Sequence, residues 1–273
     1  MQRGLSILAV SVAWLSSALV AAQPAQPRQA VPKQNTWQGS TGGVRVIDAG
    51  SGEGGSARLQ LGFDYFASND YLLRNDHHRS LSGTLSLGAT PIEHLELFAS
   101  IAARSNSNQA GNPILLQTSG DLSLGAKGYT KLLPWLDVGA DLRVLVLNSI
   151  GELGIQGSAT SLGLRGALTA DLRKLATLPF PLLVRANLGY LLDNSSKIVE
   201  STERDRYNAL PAATRRGPSN EDRNLVNRIE RYGLGINRVD MLGLGLGLEA
   251  PFELAQDVFV SPLVEWQLGI PLN

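Results

Sequence analysis

Asp137, Asp141 and Arg143 stand at odd positions of Leu136-Asp-Val-Gly-Ala-Asp-Leu-Arg-Val144, while the even positions are apolar. Successive strand side chains point to opposite faces, so this spacing gathers the ionisable groups on one face and the apolar groups on the other. The same alternation puts Arg58, Asp64, Glu96, Arg104, Asp121, Lys127, Arg165, Asp171, Arg185, Arg231, Glu249 and Glu265 on the polar faces of further strand-like segments. Carboxylates interspersed with guanidinium and ammonium groups can do two things on a shared inner surface. They can pair into a structural salt-bridge network, or they can line a narrow, weakly selective path for ions.

Residues suited to catalysis are sparse. Asp76-His77-His78 falls on an expected outer loop, and the remaining histidine, His94, falls at an expected turn. A metal site wants three or four ligands, and nothing in the sequence places more beside this pair. No Gly-x-Ser-x-Gly elbow is present to present a nucleophilic serine. No catalytic residue, metal or cofactor is therefore expected, and the chain is read as a non-enzyme; a hydrolase built around Asp76 and His77 ranks last. The surface-loop candidates are Asp76, His77 and His78, together with Arg204, Arg206, Arg215 and Arg216 of the charged stretch 194–227. That stretch reads as a long exposed loop able to meet a cell-envelope or surface partner.

The elements that position these groups follow from the same alternation. Ten strands are expected, at about 56–67, 80–90, 94–104, 119–130, 135–147, 159–173, 181–193, 228–238, 241–250 and 257–270. Leu59, Leu61, Phe63 and Tyr65 form one outward set, and Leu242, Leu244, Leu246 and Leu248 another. Connections alternate between short turns (90–93, 131–134, 174–179) and long polar loops (69–79, 105–118, 148–158, 194–227). Membrane barrels have short periplasmic turns and long extracellular loops. The fold class expected is all-β, an antiparallel up-and-down transmembrane barrel of about ten strands, within a range of eight to twelve. Barrels of this size are filled by side chains rather than open, which favours the paired network over the pore.

Residues 1–22 read as an export signal, with Arg3 before an apolar run and Val20-Ala21-Ala22 as the small-residue cleavage site. Residues 23–40 are Pro/Gln-rich and read as a linker, and 41–273 as the barrel. Within it, Val44-Arg-Val-Ile47 is either a first strand or a piece tucked into the barrel mouth. With no Cys, neither a disulfide nor a lipid-anchor cysteine is available. Basic and acidic residues are equal in number at 24 each, which excludes the basic face of a nucleic-acid binder. No segment after the signal is long and apolar enough for a membrane helix, so spanning would fall to strands.

The stretch Arg228-Ile-Glu-Arg-Tyr-Gly-Leu-Gly-Ile-Asn-Arg-Val-Asp240, the following LGLGLGLEAPF (242–252) and the terminal SPLVEWQLGIPLN resemble the barrel of OmpA-like outer-membrane proteins. Phe63-Asp-Tyr-Phe66 and Leu191-Leu-Asp-Asn194 fit the same pattern, and the similarity covers roughly residues 41–273. It is to the barrel alone. A peptidoglycan-binding domain, which follows in many such proteins, is not expected within residues 41–273, and the terminal residue is not aromatic, Trp266 being the nearest. The resemblance implies a monomeric protein of the bacterial outer membrane with lipid as its principal partner, a mainly structural envelope role and surface-exposed loops. The alternative is a small diffusion pore for ions and small polar solutes.

Overall fold

The computed structural model describes residues 23–24, 33–109, 114–147, 159–175, 181–211, 226, 228–237, 239–255 and 258–272. The strands are β1 (Gln23–Pro24), β2 (Gln34–Asn35), β3 (Thr41–Gly42), β4 (Ser56–Asn69), β5 (His77–Ile92), β6 (Leu95–Ser107) and β7 (Leu115–Leu133). They continue with β8 (Leu136–Leu147), β9 (Ala159–Asp171), β10 (Leu183–Leu192), β11 (Asp240–Glu249), β12 (Phe252–Ala255), β13 (Val258–Val260) and β14 (Leu263–Leu272). Among the described residues, two helices, α1 (Lys197–Ala209) and α2 (Arg228–Leu234), lie between β10 and β11.

Nine strands form one antiparallel sheet in the order β14-β11-β10-β9-β8-β7-β6-β5-β4, curled into a half-barrel. Each strand neighbours the next in sequence, apart from the small β12–β13 hairpin, which joins β1 instead. Register is fixed by alternation, since a one-residue slip would swap every side chain between faces. Leu59, Leu61 and Tyr65 sit opposite Leu87, Leu85 and Leu81, so apolar rows run unbroken across the β4–β5 pair. The expected outward sets occupy the convex face and stand clear of protein: Leu59 is 73% exposed, Phe63 71% and Leu164 58%. On the concave face the polarity is reversed, and Glu96 and Lys127 are fully buried.

The structure changes the expectation at one strand. Residues 228–238 are expected as a strand, but the described part, 228–237, is α2 and its exit turn. Ile229, Glu230, Gly233 and Leu234 are the buried residues, a helical spacing rather than an alternating one. Gly235 ends the helix at φ 65°, with Gly235 N–H donating to Tyr232 O at 3.1 Å and Ile236 N–H to Arg231 O at 2.9 Å. This doubled bond with a left-handed glycine is a Schellman stop. The last expected strand, 257–270, divides into β13 and β14 with Pro262 between them.

Candidate functional site

The concave face of the sheet is filled by the chain that precedes it. Residues 33–51 form a tight knot: β2 pairs with β3, Thr36 N–H donates to Ser40 O (2.7 Å), Gly43 N–H to Val46 O (2.9 Å) and Asp48 N–H to Thr41 O (2.9 Å). Gly39, at φ 97°, lies so close to β6 that a Cβ there would stand 2.6 Å from Ala99 O. Of the two readings open for 44–47, a first strand or a tucked-in piece, the second describes the structure. Within the stretch expected as a linker, residues 33–40 are already packed: Asn35, Thr36 and Ser40 are fully buried.

Every strand of the sheet meets this knot. Asn35 N–H donates to Gln60 Oε1 on β4 (2.9 Å), and Ser51 Oγ bonds Thr90 Oγ1 on β5 (2.7 Å). Glu96 on β6 accepts from Thr41 N–H (2.7 Å) and Thr41 Oγ1 (2.8 Å). Lys127 Nζ on β7 donates to the carbonyls of Asp48 (2.9 Å) and Gly50 (2.7 Å). Gly139 on β8 backs directly onto Ala49 O. Ala49 N–H donates to Thr169 Oγ1 on β9 (2.8 Å), and Ile47 N–H to Asn187 Oδ1 on β10 (2.8 Å). Val46 packs over Gly245 and Gly247 of β11. On β14, Glu265 accepts the amides of Val44 (3.0 Å), Arg45 (2.8 Å) and Val46 (3.1 Å).

Among the described residues, Arg58, Glu96, Lys127, Asp141, Arg165, Arg185 and Glu249 of the charges anticipated on the inner face pair with one another. Lys127 Nζ lies 2.6 Å from Glu96, and Arg58 Nη2 3.1 Å from the same carboxylate. Arg165 grips Asp141 through Nε (3.3 Å) and Nη2 (2.5 Å) and donates to Gln38 Oε1 (2.7 Å). Arg185 bridges Asp48 and Glu249. A buried charge is tolerated when paired and hydrogen-bonded, and this core meets that condition densely. Asp48 is the hub. Burial by itself would raise its carboxyl, but Lys33 (2.8 Å away) and Arg185 hold it well below the ordinary carboxylate range.

Other anticipated residues lie elsewhere. Asp171 pairs locally with Arg173 (2.7 Å) and Lys174 (3.4 Å) at the end of β9. Asp137 faces Gly50, and Asp121 is half-buried beside a bulge in the β6–β7 ladder. Asp64 on β4 and Arg104 on β6 lie near Tyr232. Arg143 makes no hydrogen bond or ion pair among the described residues. Arg231, expected on a strand, is on α2 and donates to Val226 O (2.8 Å).

The expected Asp76-His77-His78 loop site is taken apart by strand alternation. His77 and His78 begin β5 and point to opposite faces: His77 is exposed, while His78 is buried against Phe66, Tyr71 and Tyr232 and bonds Asn108 (2.8 Å). Asp76 is buried too and accepts from Gln109 N–H (2.8 Å). The Tyr232 hydroxyl is pushed up to about 12, by burial first and by Tyr71 second. Among the described residues no three His, Asp or Glu side chains converge as metal ligands.

The stretch read as an exposed loop carries α1, and α2 follows directly after it. Arg204 pairs with Glu200 one turn away (3.1 Å), and Arg206 forks onto Glu230 of α2 (2.9 and 2.8 Å). Arg215 and Arg216 lie outside the described residues. Sequence reasoning missed Lys33, Asn35, Thr41 and Asp48, all placed in or beside the supposed linker. The available signal was the density of glycine at 39, 42, 43 and 50, which marks backbone pressed against backbone. Comparison with known proteins adds no relative: no family model, no curated protein and no solved structure matches the chain.

Proposed function

We propose that this protein is a bacterial outer-membrane β-barrel with a mainly structural envelope role, its interior occupied by residues 33–51. One observation carries the reading: the sheet is inside out relative to a water-soluble fold. Its convex face exposes Leu59, Leu61, Phe63, Leu85, Leu164 and Leu188, while Glu96, Lys127 and Asp141 are buried on the concave face. A contiguous apolar surface of this extent is disfavoured in water and suited to lipid. At about 3.4 Å per residue, a tilted strand of 9–11 residues crosses the hydrocarbon layer, and β4 to β9 each exceed that length.

Closure into a full barrel belongs to this proposal. The edge strands β4 and β14 run in the same direction, as the ends of a nine-stranded antiparallel order must. Closure therefore needs either a parallel pairing between them or an intervening strand running opposite to both. Lipid tolerates no open sheet edge. The OmpA-like resemblance is consistent with this architecture. The pore reading is weakened by the knot of residues 33–51, which meets all nine strands.

Single-tryptophan variants test membrane placement. Trp266 is 47% exposed on β14 and in the convex set with Val264 and Leu268, whereas Trp37 stacks under Arg45 and abuts Gly62. In liposomes of brominated lipid, Trp266 fluorescence is expected to be quenched and Trp37 fluorescence spared. Equal quenching, or none at Trp266, would remove the membrane assignment.

A further inference from the structure

Toward the outer end of the concave face, beyond the knot, the sheet becomes bare. Three register rows converge there. One runs Lys127–Asp141–Arg165–Gly189–Gly243–Gly269 across β7 to β14, the row above it contains Gly125, Arg143 and Gly163, and the row below passes through Asn187 and Gly245. Charges of alternating sign on β7 to β9 thus give way to glycine on β10, β11 and β14. With no side chain on the Gly189–Gly243–Gly269 row, the surface sinks into a hollow of about 220 Å³, walled by Asn187, Leu191, Met241 and Gln267. It is not packed shut: a Cβ added at Gly243 would meet nothing closer than Gly189 O at 3.8 Å.

Three guanidinium groups rim this hollow: Arg45, Arg143 and Arg165. Each is held differently. Arg45 is stacked over the Trp37 ring, 4.8 Å from its centroid. Arg165 is anchored on Asp141 and Gln38. Arg143 lies across Gly163, where a Cβ would stand 3.3 Å from both Nε and Nη2. One carboxylate, Asp141, lines the hollow, and both of its oxygens are already bonded to Arg165. The rim therefore carries a surplus of two positive charges. Arg143, half-buried between flanking glycines, faces it with no acceptor among the described residues.

A half-buried guanidinium without an acceptor forfeits hydration without recovering it, which an anion would repair. The planar guanidinium fork matches an oxyanion with two acceptor oxygens better than it matches a halide. Taking about 30 Å³ for each water, the hollow has room for a phosphate-sized or small carboxylate group together with a few waters. We propose that this glycine-floored hollow is a binding site for a small oxyanion, held chiefly by Arg143 with Arg45 and Arg165 at its sides. The geometry holds whether or not the sheet sits in a membrane.

The test is calorimetric titration of the refolded chain in non-ionic micelles with inorganic phosphate and, separately, with acetate. Saturable one-site binding is expected, and the tighter of the two probes identifies a phosphoryl or a carboxylate ligand. Arg143→Gln, which removes a cation that has no protein partner to orphan, is expected to weaken binding at least tenfold while the protein stays folded. Gly243→Leu fills open space on the floor and is expected to abolish binding. Absence of saturable binding of both probes to the intact chain would overturn the assignment, as would affinity unchanged in both variants.

Discussion

The two ends of the curled sheet are filled by opposite chemistries. At one end, residues 33–51 are held by ions and backbone hydrogen bonds, with Asp48, Arg185 and Glu249 forming a buried chain and Glu96 shared between Lys127 and Arg58. At the other, α1 and α2 close over an apolar cluster of Ala159, Ile198, Val199, Val226, Leu234 and Ile236, beside the rings of Tyr71, His78 and Tyr232. The difference follows from what each segment offers. A glycine-rich strip has little side-chain surface but many N–H and C=O groups, so it suits a polar wall that can satisfy them. A helix satisfies its own backbone and needs only an apolar face to dock.

The polar end is the more sensitive of the two. Arg185→Ala leaves Asp48 and Glu249 buried with less compensation, and loss of one partner from such a pair typically costs about 3–5 kcal/mol. Denaturant unfolding in micelles is expected to show that loss, and acid is expected to act on the same hub. The Asp48 carboxyl is lowered in the folded state, so its contribution is complete above the unfolded value near 3.8 and is lost as pH falls below it. An Asp48→Asn protein should show a flatter stability profile in that window.

At the apolar end the cost is a cavity rather than an orphaned charge. Ile198 is 1% exposed, and Ile198→Ala is expected to cost about 2–4 kcal/mol. Protease cutting within 193–239 should accelerate without loss of strand signal, since the helices dock on a sheet that has its own ladders. Equal loss of strand signal would mean the two ends are one cooperative unit. The smallest effect sharpens the polar side: Gly39→Ala forces a Cβ against Ala99 O at a φ of 97° and is expected to cost about 1–3 kcal/mol. It should release the knot at residues 33–51 while leaving the cap over β5 to β7 unchanged by proteolysis.

The sheet was legible because a half-polar strand carries its own signature. Asp137, Asp141 and Arg143 announce one face, and the neighbouring leucines the other, without any tertiary information. The inward charges were legible as a set, and most of their partnerships are between adjacent strands, such as Lys127 with Glu96 and Asp141 with Arg165. Two features were not. Alternation cannot separate α2 from a strand when Ile229, Tyr232, Leu234 and Ile236 satisfy both periods loosely, and Gly235 decides the matter only through its φ. Nor can pattern reveal that Asp48 travels into the sheet, because its partners Arg185 and Lys127 are separated from it by 137 and 79 residues.

In the proposed membrane barrel, residues 33–51 stopper the interior. Single-channel recording in a planar bilayer tests it most directly, comparing the chain from Gln23 onward with a variant lacking residues 33–51. Silence is expected from inserted, folded intact protein, and reproducible conductance steps once the segment is removed. Stable steps of the same size from both proteins would contradict it.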